Sequence, residues 1–303
     1  MTVYVGRLPP PVGGVSVFWK RMIDNLNKMD GDILIDFSNK FWWLKLLCIR
    51  LRFRQQSYVF NTCNIWVLLL INFYLISSRS IIYDHNGSRH YTSGLKAIFF
   101  VILTHKINEI RIVHKHLANN YLLSKRNKLK VFIPFIPPSL SYYDEIVNDY
   151  NDEILSFIHS HRKVILINAS KYTIDNMGRD VYGIDKAVFL INTLEKKFPS
   201  QYSMLFVIGD DKDFKVKNLL ERRVSNHNSY LYVSGNYELW PLFKMVDLFI
   251  RPTTTDGDSV SIREALYLNC PVVASNVVPR PDDVVTFNLF DNDEMYKNVK
   301  SII

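Results

Sequence analysis

Cysteine is scarce in this chain: three residues in 303, Cys48, Cys63 and Cys270. They are odd in number, far apart, and lack the paired spacing of a zinc site or a disulfide framework, which fits a reducing cytoplasm. The start, MTVYVGRLPPPVGG, has no basic segment leading into an apolar run and a cleavage site, so it does not read as a secretory signal. No repeat of 20 to 50 residues and no low-complexity tract is visible. Long apolar runs are missing too. Residues 65–76, IWVLLLINFYLI, span 12 positions, where a membrane-crossing helix needs about 20. Asn61, Thr62 and Asn64 interrupt the run upstream. A buried helix between two strands is expected there.

Acidic residues are thin in the first half. Residues 1–150 carry a net charge of +10, and the remainder −2. Such asymmetry suggests that one domain faces an anionic partner, either phospholipid headgroups or nucleic acid. Residues 41–54, FWWLKLLCIRLRFR, hold four cations and no acid. Aromatic rings with snorkelling Lys and Arg suit an interfacial helix on anionic lipid. The alternation over residues 49–54 fits a β-strand equally well. The aromatics fall in apolar runs rather than along a basic groove, which weighs against nucleic acid.

The apolar share of 48% with 22% charged residues excludes a wholly disordered chain, and the length suggests two domains. Short β-branched or apolar runs alternate with helical stretches, the pattern of repeated βαβ units and parallel sheets. Strands are expected near 3–5, 33–36, 57–62, 81–84, 110–113 and 130–133, then near 164–168, 204–208, 230–233, 248–250 and 272–275. Between the two series, residues 133–141 read IPFIPPSLS, and three prolines disfavour both helix and central strand. The expected division is an N-terminal domain, 1–138, and a C-terminal domain, 139–303. An acidic helix over 142–161 leads into the second. After Asp291 there is room for one short helix.

The most informative stretch is 246–275, VDLFIRPTTTDGDSVSIREALYLNCPVVAS. A strand ends at Pro252, a polar loop follows, a helix begins at about Ser261, and another strand follows Pro271. In open α/β sheets ligands bind beyond the carboxyl ends of strands, where this loop lies. The backbone amides from Gly257 through Asp258, Ser259 and Val260 to Ser261 run into a helix N-terminus, which favours a phosphate or carboxylate. Ser261 and Glu264 also match an S-x-x-E capping box, which would make Glu264 a mere cap.

The spacing Asp256-x7-Glu264 resembles the E-x7-E signature of the family 4 glycosyltransferases. Val246-Asp247-Leu248-Phe249-Ile250-Arg251-Pro252-Thr253 is similar to that family's "aDvfvlPS" strand, and Asn269-Cys270-Pro271-Val272-Val273-Ala274-Ser275 to its "G-x-P-V-V-a-s". More loosely, Leu205-Phe206-Val207-Ile208-Gly209-Asp210 resembles "L-x-i-v-G-x-G", Tyr182-Gly183-Ile184-Asp185 resembles "K-G-x-D", and Ile133-Pro134 the "v-i-P-N-G" hinge. Gly13-Gly14 matches the glycine loop after the first strand, and Asp84-His85-Asn86-Gly87 an "H-x-G".

The resemblance implies an α/β chain of GT-B architecture: two Rossmann-like parallel-sheet domains facing across a cleft, the N-terminal one (1–138) binding the acceptor and the C-terminal one (139–303) the nucleotide-sugar donor, with retaining transfer and no bound metal. Glu264, the second acid, would accept hydrogen bonds from the donor's ribose hydroxyls. Asp256, the first, would sit beside the transferred sugar, with one methylene less reach than the commoner Glu. The triplet Asp256-Gly257-Asp258 is a tempting metal site, but the family pattern assigns it otherwise.

Leaving diphosphate charge must be met by cations and amides. Where the family has "G-R-l" and "K-G", this chain has Asn168-Ala169-Ser170-Lys171 and Asp180-Val181-Tyr182-Gly183. Lys171 and Arg179 are the nearest cations and become the candidates. Gly13 and Gly14 would offer amides, and His85 a hydrogen bond to donor sugar or acceptor; His114 and His116 read as surface or packing residues. The donor is expected to be a UDP-sugar and the acceptor a saccharide or lipid-linked saccharide of a bacterial surface polysaccharide, with the enzyme peripheral on the inner face of the plasma membrane. The competing readings are a GT-B nucleotide-sugar epimerase or phosphorylase, and a non-catalytic membrane or nucleic-acid-binding protein.

Overall fold

The computed structural model describes residues 1–10, 13–26, 31–53, 55–85, 94–121, 127–211 and 213–303. Asn86 and Gly87, Arg54 and the side chain of His116 lie outside the described residues. The chain forms two compact units, one ending at Ile136 and the other running from Pro137 to Ile303.

The first unit follows the strand–helix rhythm of the sequence. Its order is β1 (Thr2–Gly6), α1 (Gly14–Asn25), β2 (Ile33–Asp36), α2 (Trp42–Arg52), β3 (Ser57–Phe60), α3 (Ile65–Phe73), β4 (Ser80–Asp84), α4 (Gly94–Thr104), β5 (Glu109–Ile112) and β6 (Leu129–Val131). The strands make one parallel sheet in the order β2-β1-β3-β4-β5-β6. Parallel strands need helical crossovers on both faces, so apolar residues fill both sides of the sheet. Leu46 and Ile49 of α2, Val67, Leu68 and Ile71 of α3, and Phe100 and Leu103 of α4 pack together on one face. Phe18, Trp19 and Ile23 of α1 cover part of the other.

Two expectations change here. Within residues 41–54, Trp42–Arg52 form a helix and not the alternating strand: Leu46 and Ile49, three apart, are its buried side, a spacing that suits helical and not extended periodicity. The run at 65–76 is a helix, as expected, but only one side of it is buried. Trp66 is 74% exposed and Phe73 79%.

The second unit begins with α5 (Tyr143–Asn148) and α6 (Asp152–Ser160), followed by β7 (Val164–Lys171), α7 (Ile184–Lys197), β8 (Ser203–Asp210), α8 (Lys215–Arg223), β9 (Tyr230–Ser234), β10 (Leu248–Arg251), α9 (Val260–Tyr267), β11 (Val272–Ser275), β12 (Val285–Phe287) and α10 (Asn292–Ile302). The single helix expected at 142–161 is thus two. Asn151 breaks it by acting as an N-cap, its Oδ1 accepting from the Glu153 amide at 3.0 Å. The sheet is parallel, in the order β12-β11-β10-β7-β8-β9. From β7 the chain winds outward through β8 and β9, then returns to the other side of β7 with β10 and winds outward again. The reversal point lies between the carboxyl ends of β7 and β10, the place where open α/β sheets hold ligands.

Candidate active site

β10 delivers the site. Its register against β7 pairs Leu248 with Ile165 and Ile250 with Ile167, so the next residue, Arg251, emerges beside Asn168. The Arg251 Nη1 lies 3.4 Å from Asn168 Oδ1, and the guanidinium carbon stands 5.5 Å from the centre of the Tyr182 ring. Asn168 and Tyr182 belong to the two segments where the sequence resemblance leads one to expect cations. Arg251 brings a positive charge to both from a different strand. Lys171, by contrast, ends β7 exposed to solvent. Arg179 is bound to Asp175 within its own turn, with Nη2 2.7 Å and Nε 2.8 Å from Oδ2.

The loop after Pro252 is organised by ion pairs. Asp256 Oδ2 receives Arg251 Nε at 3.2 Å and Arg280 Nη1 at 2.9 Å. All three side chains are largely shielded from solvent, Arg280 with 3% of its side chain exposed. Arg280 further donates through Nε to the Ser275 carbonyl at 3.0 Å and through Nη2 to Thr253 Oγ1 at 3.3 Å. One carboxylate against two guanidinium groups leaves the cluster with a net charge of +1 when all three ionise. Burial alone would push Asp256 upward, but Arg251 and Arg280 outweigh it and hold the carboxyl below the usual range. The Gly257 amide donates to Asp256 Oδ1 at 3.0 Å.

Asp258 is also committed. It takes a two-pronged contact from Arg263, Nε to Oδ1 at 2.7 Å and Nη2 to Oδ2 at 2.6 Å, the fork geometry that arginine and carboxylate favour. The acids of the Asp256-Gly257-Asp258 triplet therefore both face guanidinium groups.

α9 starts two positions from where the capping-box reading places it. Ser259, not Ser261, is the N-cap, its Oγ accepting from the Ile262 amide at 3.4 Å. Ser261 is already inside the helix, and Glu264 lies beyond the third helical position, so it does not serve the box. Glu264 is nevertheless 5% exposed, on the same element as the Val260 and Ser261 amides, which lack acceptors within the helix. Its charge adds to that of Glu238 in pushing the Tyr150 hydroxyl upward, after burial, the largest cause; Tyr150 itself donates to the Glu238 carbonyl at 2.5 Å.

α7 meets this region through Gly183, its N-cap, at φ 73°. A Cβ there would come within 2.1 Å of the Pro252 carbonyl oxygen. The glycine lets the start of α7 press against the end of β10. The buried Asp180 carboxylate satisfies that helix start, accepting from the amides of Tyr182 at 3.0 Å and Asp185 at 3.2 Å, and from that of Ile184.

In the first unit, Gly14 opens α1 just after Gly13. His85 follows β4, walled by Phe18, Tyr83 and Phe132 at ring-centre distances of 5.3, 6.2 and 5.4 Å. Asn61 Nδ2 donates to the Val15 carbonyl at 3.1 Å, which fixes its Oδ1 as the acceptor for His85 Nε2–H at 2.7 Å. Burial lowers the His85 pKa to about 3, so the ring is neutral near pH 7. His85 is therefore suited to hydrogen bonding rather than to carrying a charge.

Arg251 and Arg280 were missed as site residues by sequence reasoning. Arg251 had a signal, since it occupies the end of the strand that resembles "vlP". Arg280 had none nearby, because its partner lies 24 positions earlier.

Residues 158–289 match the family described as glycosyl transferases group 1. That match lies within the second unit, and the chain has the GT-B fold. Solved structures resemble it over nearly its whole length. An E. coli structure titled trehalose-6-phosphate bound with UDP-2-fluoro glucose is 11% identical with a TM-score of 0.66, covering 100% of this chain and 91% of its own. HepE from Anabaena, solved with UDP-glucose, is 13% identical with a TM-score of 0.68 over 99% and 89%. A UDP-forming α,α-trehalose-phosphate synthase from Burkholderia xenovorans is 9% identical with a TM-score of 0.69 over 99% and 90%. At such identities the likeness is one of fold. Among curated protein sequences none matches the chain.

Proposed function

We propose that the protein transfers a sugar from a nucleoside diphosphate sugar, a UDP-sugar, to a saccharide or lipid-linked saccharide hydroxyl, with retention and without a bound metal. The observation that carries this reading is Glu264, buried on α9 eight residues after an Asp256 that is clamped by Arg251 and Arg280 at the reversal point of the sheet. Glu264 accepts the two ribose hydroxyls, a demand that an ionised carboxylate meets. The diphosphate rests against the α9 amides and the net positive cluster of Arg251, Asp256 and Arg280. Both arginines are held in place before the leaving-group charge develops, which is the condition under which such charges lower a barrier.

Asp256 acts in this scheme as the anchor of the two guanidinium groups and offers its remaining lone pairs to the sugar. Because Asp256 and Asp258 already face arginines, the loop supplies fixed positive charge where a metal would otherwise serve. Lys171 remains a solvent-side cation for the phosphates, Arg179 contributes through the turn it closes with Asp175, and Gly13, Gly14 and His85 are the further candidates for holding donor or acceptor. The UDP-sugars named in the HepE and E. coli structures support the choice of base. The trehalose-phosphate synthase among the structural relatives makes a sugar-phosphate acceptor the alternative to a saccharide chain. A bacterial surface polysaccharide pathway at the inner face of the plasma membrane fits the basic first unit.

A thermal-shift screen of nucleoside diphosphate sugars tests this directly, since a ligand that binds only the folded state raises Tm. UDP-sugars are expected to raise it and to yield UDP with an α-linked product from an α-linked donor, in the presence of a chelator. No shift with any nucleotide sugar contradicts the proposal.

A further inference from the structure

We infer that the outer surface of α2, α3 and α4 is a docking face for an anionic lipid bilayer. The three helices lie side by side on one face of the first sheet. Asn72 Nδ2 of α3 donates to the Leu103 carbonyl of α4 at 2.9 Å. Tyr74, which caps α3, donates through its hydroxyl to the Trp43 carbonyl of α2 at 3.3 Å, and its own carbonyl accepts from Arg50 Nε at 3.2 Å.

A helix that packs on a sheet with its other side in water normally turns a polar stripe outward. These three do the reverse. The outward stripe of α3 is Trp66, Leu69 and Phe73, and that of α4 is Leu95, Ile98, Phe99 and Ile102, all exposed. α2 adds Trp43, Leu44 and Leu51, the last 74% exposed. Trp66 and Phe73 alone, at about 200 Å² per ring system, leave roughly 300 Å² uncovered, already the size of the largest apolar patch on a typical monomer. The other eight side chains extend it well past that. None of the described helices is long and apolar enough to cross a membrane, so the face lies on a bilayer rather than within it.

Charge selects the occupant. Residues 37–108 contain nine Lys and Arg but one acid, Asp84. That acid is fully buried and accepts from the Tyr121 hydroxyl at 2.6 Å. The helix layer thus presents rings and aliphatic side chains flanked by Lys40, Lys45, Arg52, Lys96 and Lys106, with no carboxylate among α2, α3 and α4 to repel a phosphate headgroup. A second protein copy would place these cations against their own equivalents, whereas an anionic leaflet attracts each one.

The test is sedimentation of the full chain with vesicles of phosphatidylcholine alone or with about one third phosphatidylglycerol. Binding is expected only with the anionic lipid and is weakened by salt. Trp66→Glu with Ile98→Glu is expected to weaken it at least about tenfold while leaving circular dichroism and donor hydrolysis unchanged. Should that variant misfold, Arg52→Gln with Lys96→Gln, which keeps the stripes, is expected to weaken binding about fivefold per charge. Equal binding to both vesicle types, binding to neither, or a dimer in size-exclusion light scattering that the Glu variant dissociates would overturn the inference.

Discussion

Arg280 Nη1 and Asp256 Oδ2 lie 2.9 Å apart, although 24 positions separate them in the chain. The contact ties the loop after β11 to the loop after β10, and Arg251 shares the same oxygen at 3.2 Å. A cluster buried to this degree is costly to leave half-made, because each guanidinium without its counter-ion loses solvation it cannot recover.

Removing the carboxylate should therefore unfold the region before it alters any contact with substrate. Asp256→Ala is expected to lower stability by about 3 kcal/mol and to abolish turnover. The pH dependence has a definite sign. The folded-state pKa of Asp256 lies below its ordinary value of 3.8, so its contribution is complete above that value and disappears as pH falls through the folded pKa. Urea midpoints below pH 4 should fall in the wild type, and the loss should be smaller in Asp256→Asn.

Arg251 carries a separable expectation. Substitution by Gln keeps a donor for Asn168 but removes the charge from the proposed diphosphate site. Turnover is expected to fall about 10²-fold or more, in line with the loss of a preorganised electrostatic group. Steady-state rates with a UDP-sugar against the Arg179→Gln variant check this. Arg179, paired with Asp175 and partly exposed, should tolerate the change within about tenfold. Equal losses in both variants would count against Arg251.

His85 sets the behaviour of the first unit in mild acid. Buried and neutral, with a folded pKa of about 3 against an ordinary 6.5, it resists a proton that the unfolded chain accepts. Stability is then complete above pH 6.5 and declines as pH falls from there, by up to about 1.4 kcal/mol per pH unit. The urea midpoint should drop between pH 7 and pH 5 in the wild type, and the drop should shrink in His85→Gln. A midpoint equally pH-sensitive in both would show that the imidazole already carries a proton when folded.

Much of this architecture was legible in the sequence, for reasons that can be read residue by residue. All eleven expected strands are present, because parallel strands buried on both faces are continuous apolar runs, and Ile165–Ile167 or Leu248–Ile250 can hardly be anything else. β12 was not legible: Val285 and Thr286 are exposed, so the short edge strand has no such run. The α2 segment misleads because Ile49-Arg50-Leu51-Arg52 alternates by type, while its buried side, Leu46 and Ile49, is set by the sheet beneath it. In the site, Asp256 and Glu264 stood out through their spacing. The true cap, Ser259, was masked by a second serine two residues on. Arg280 is recognisable only once the fold brings it to Asp256.

Glu264 is the residue on which the functional account turns, and calorimetric titration of UDP into the wild type and Glu264→Gln is the measurement that bears on it most directly. The amide is nearly isosteric but cannot accept from two ribose hydroxyls as a carboxylate does. Affinity is expected to fall at least about tenfold, the value of losing hydrogen bonds to a charged group, with thermal stability little changed. UDP binding of the same strength in both proteins would contradict the account.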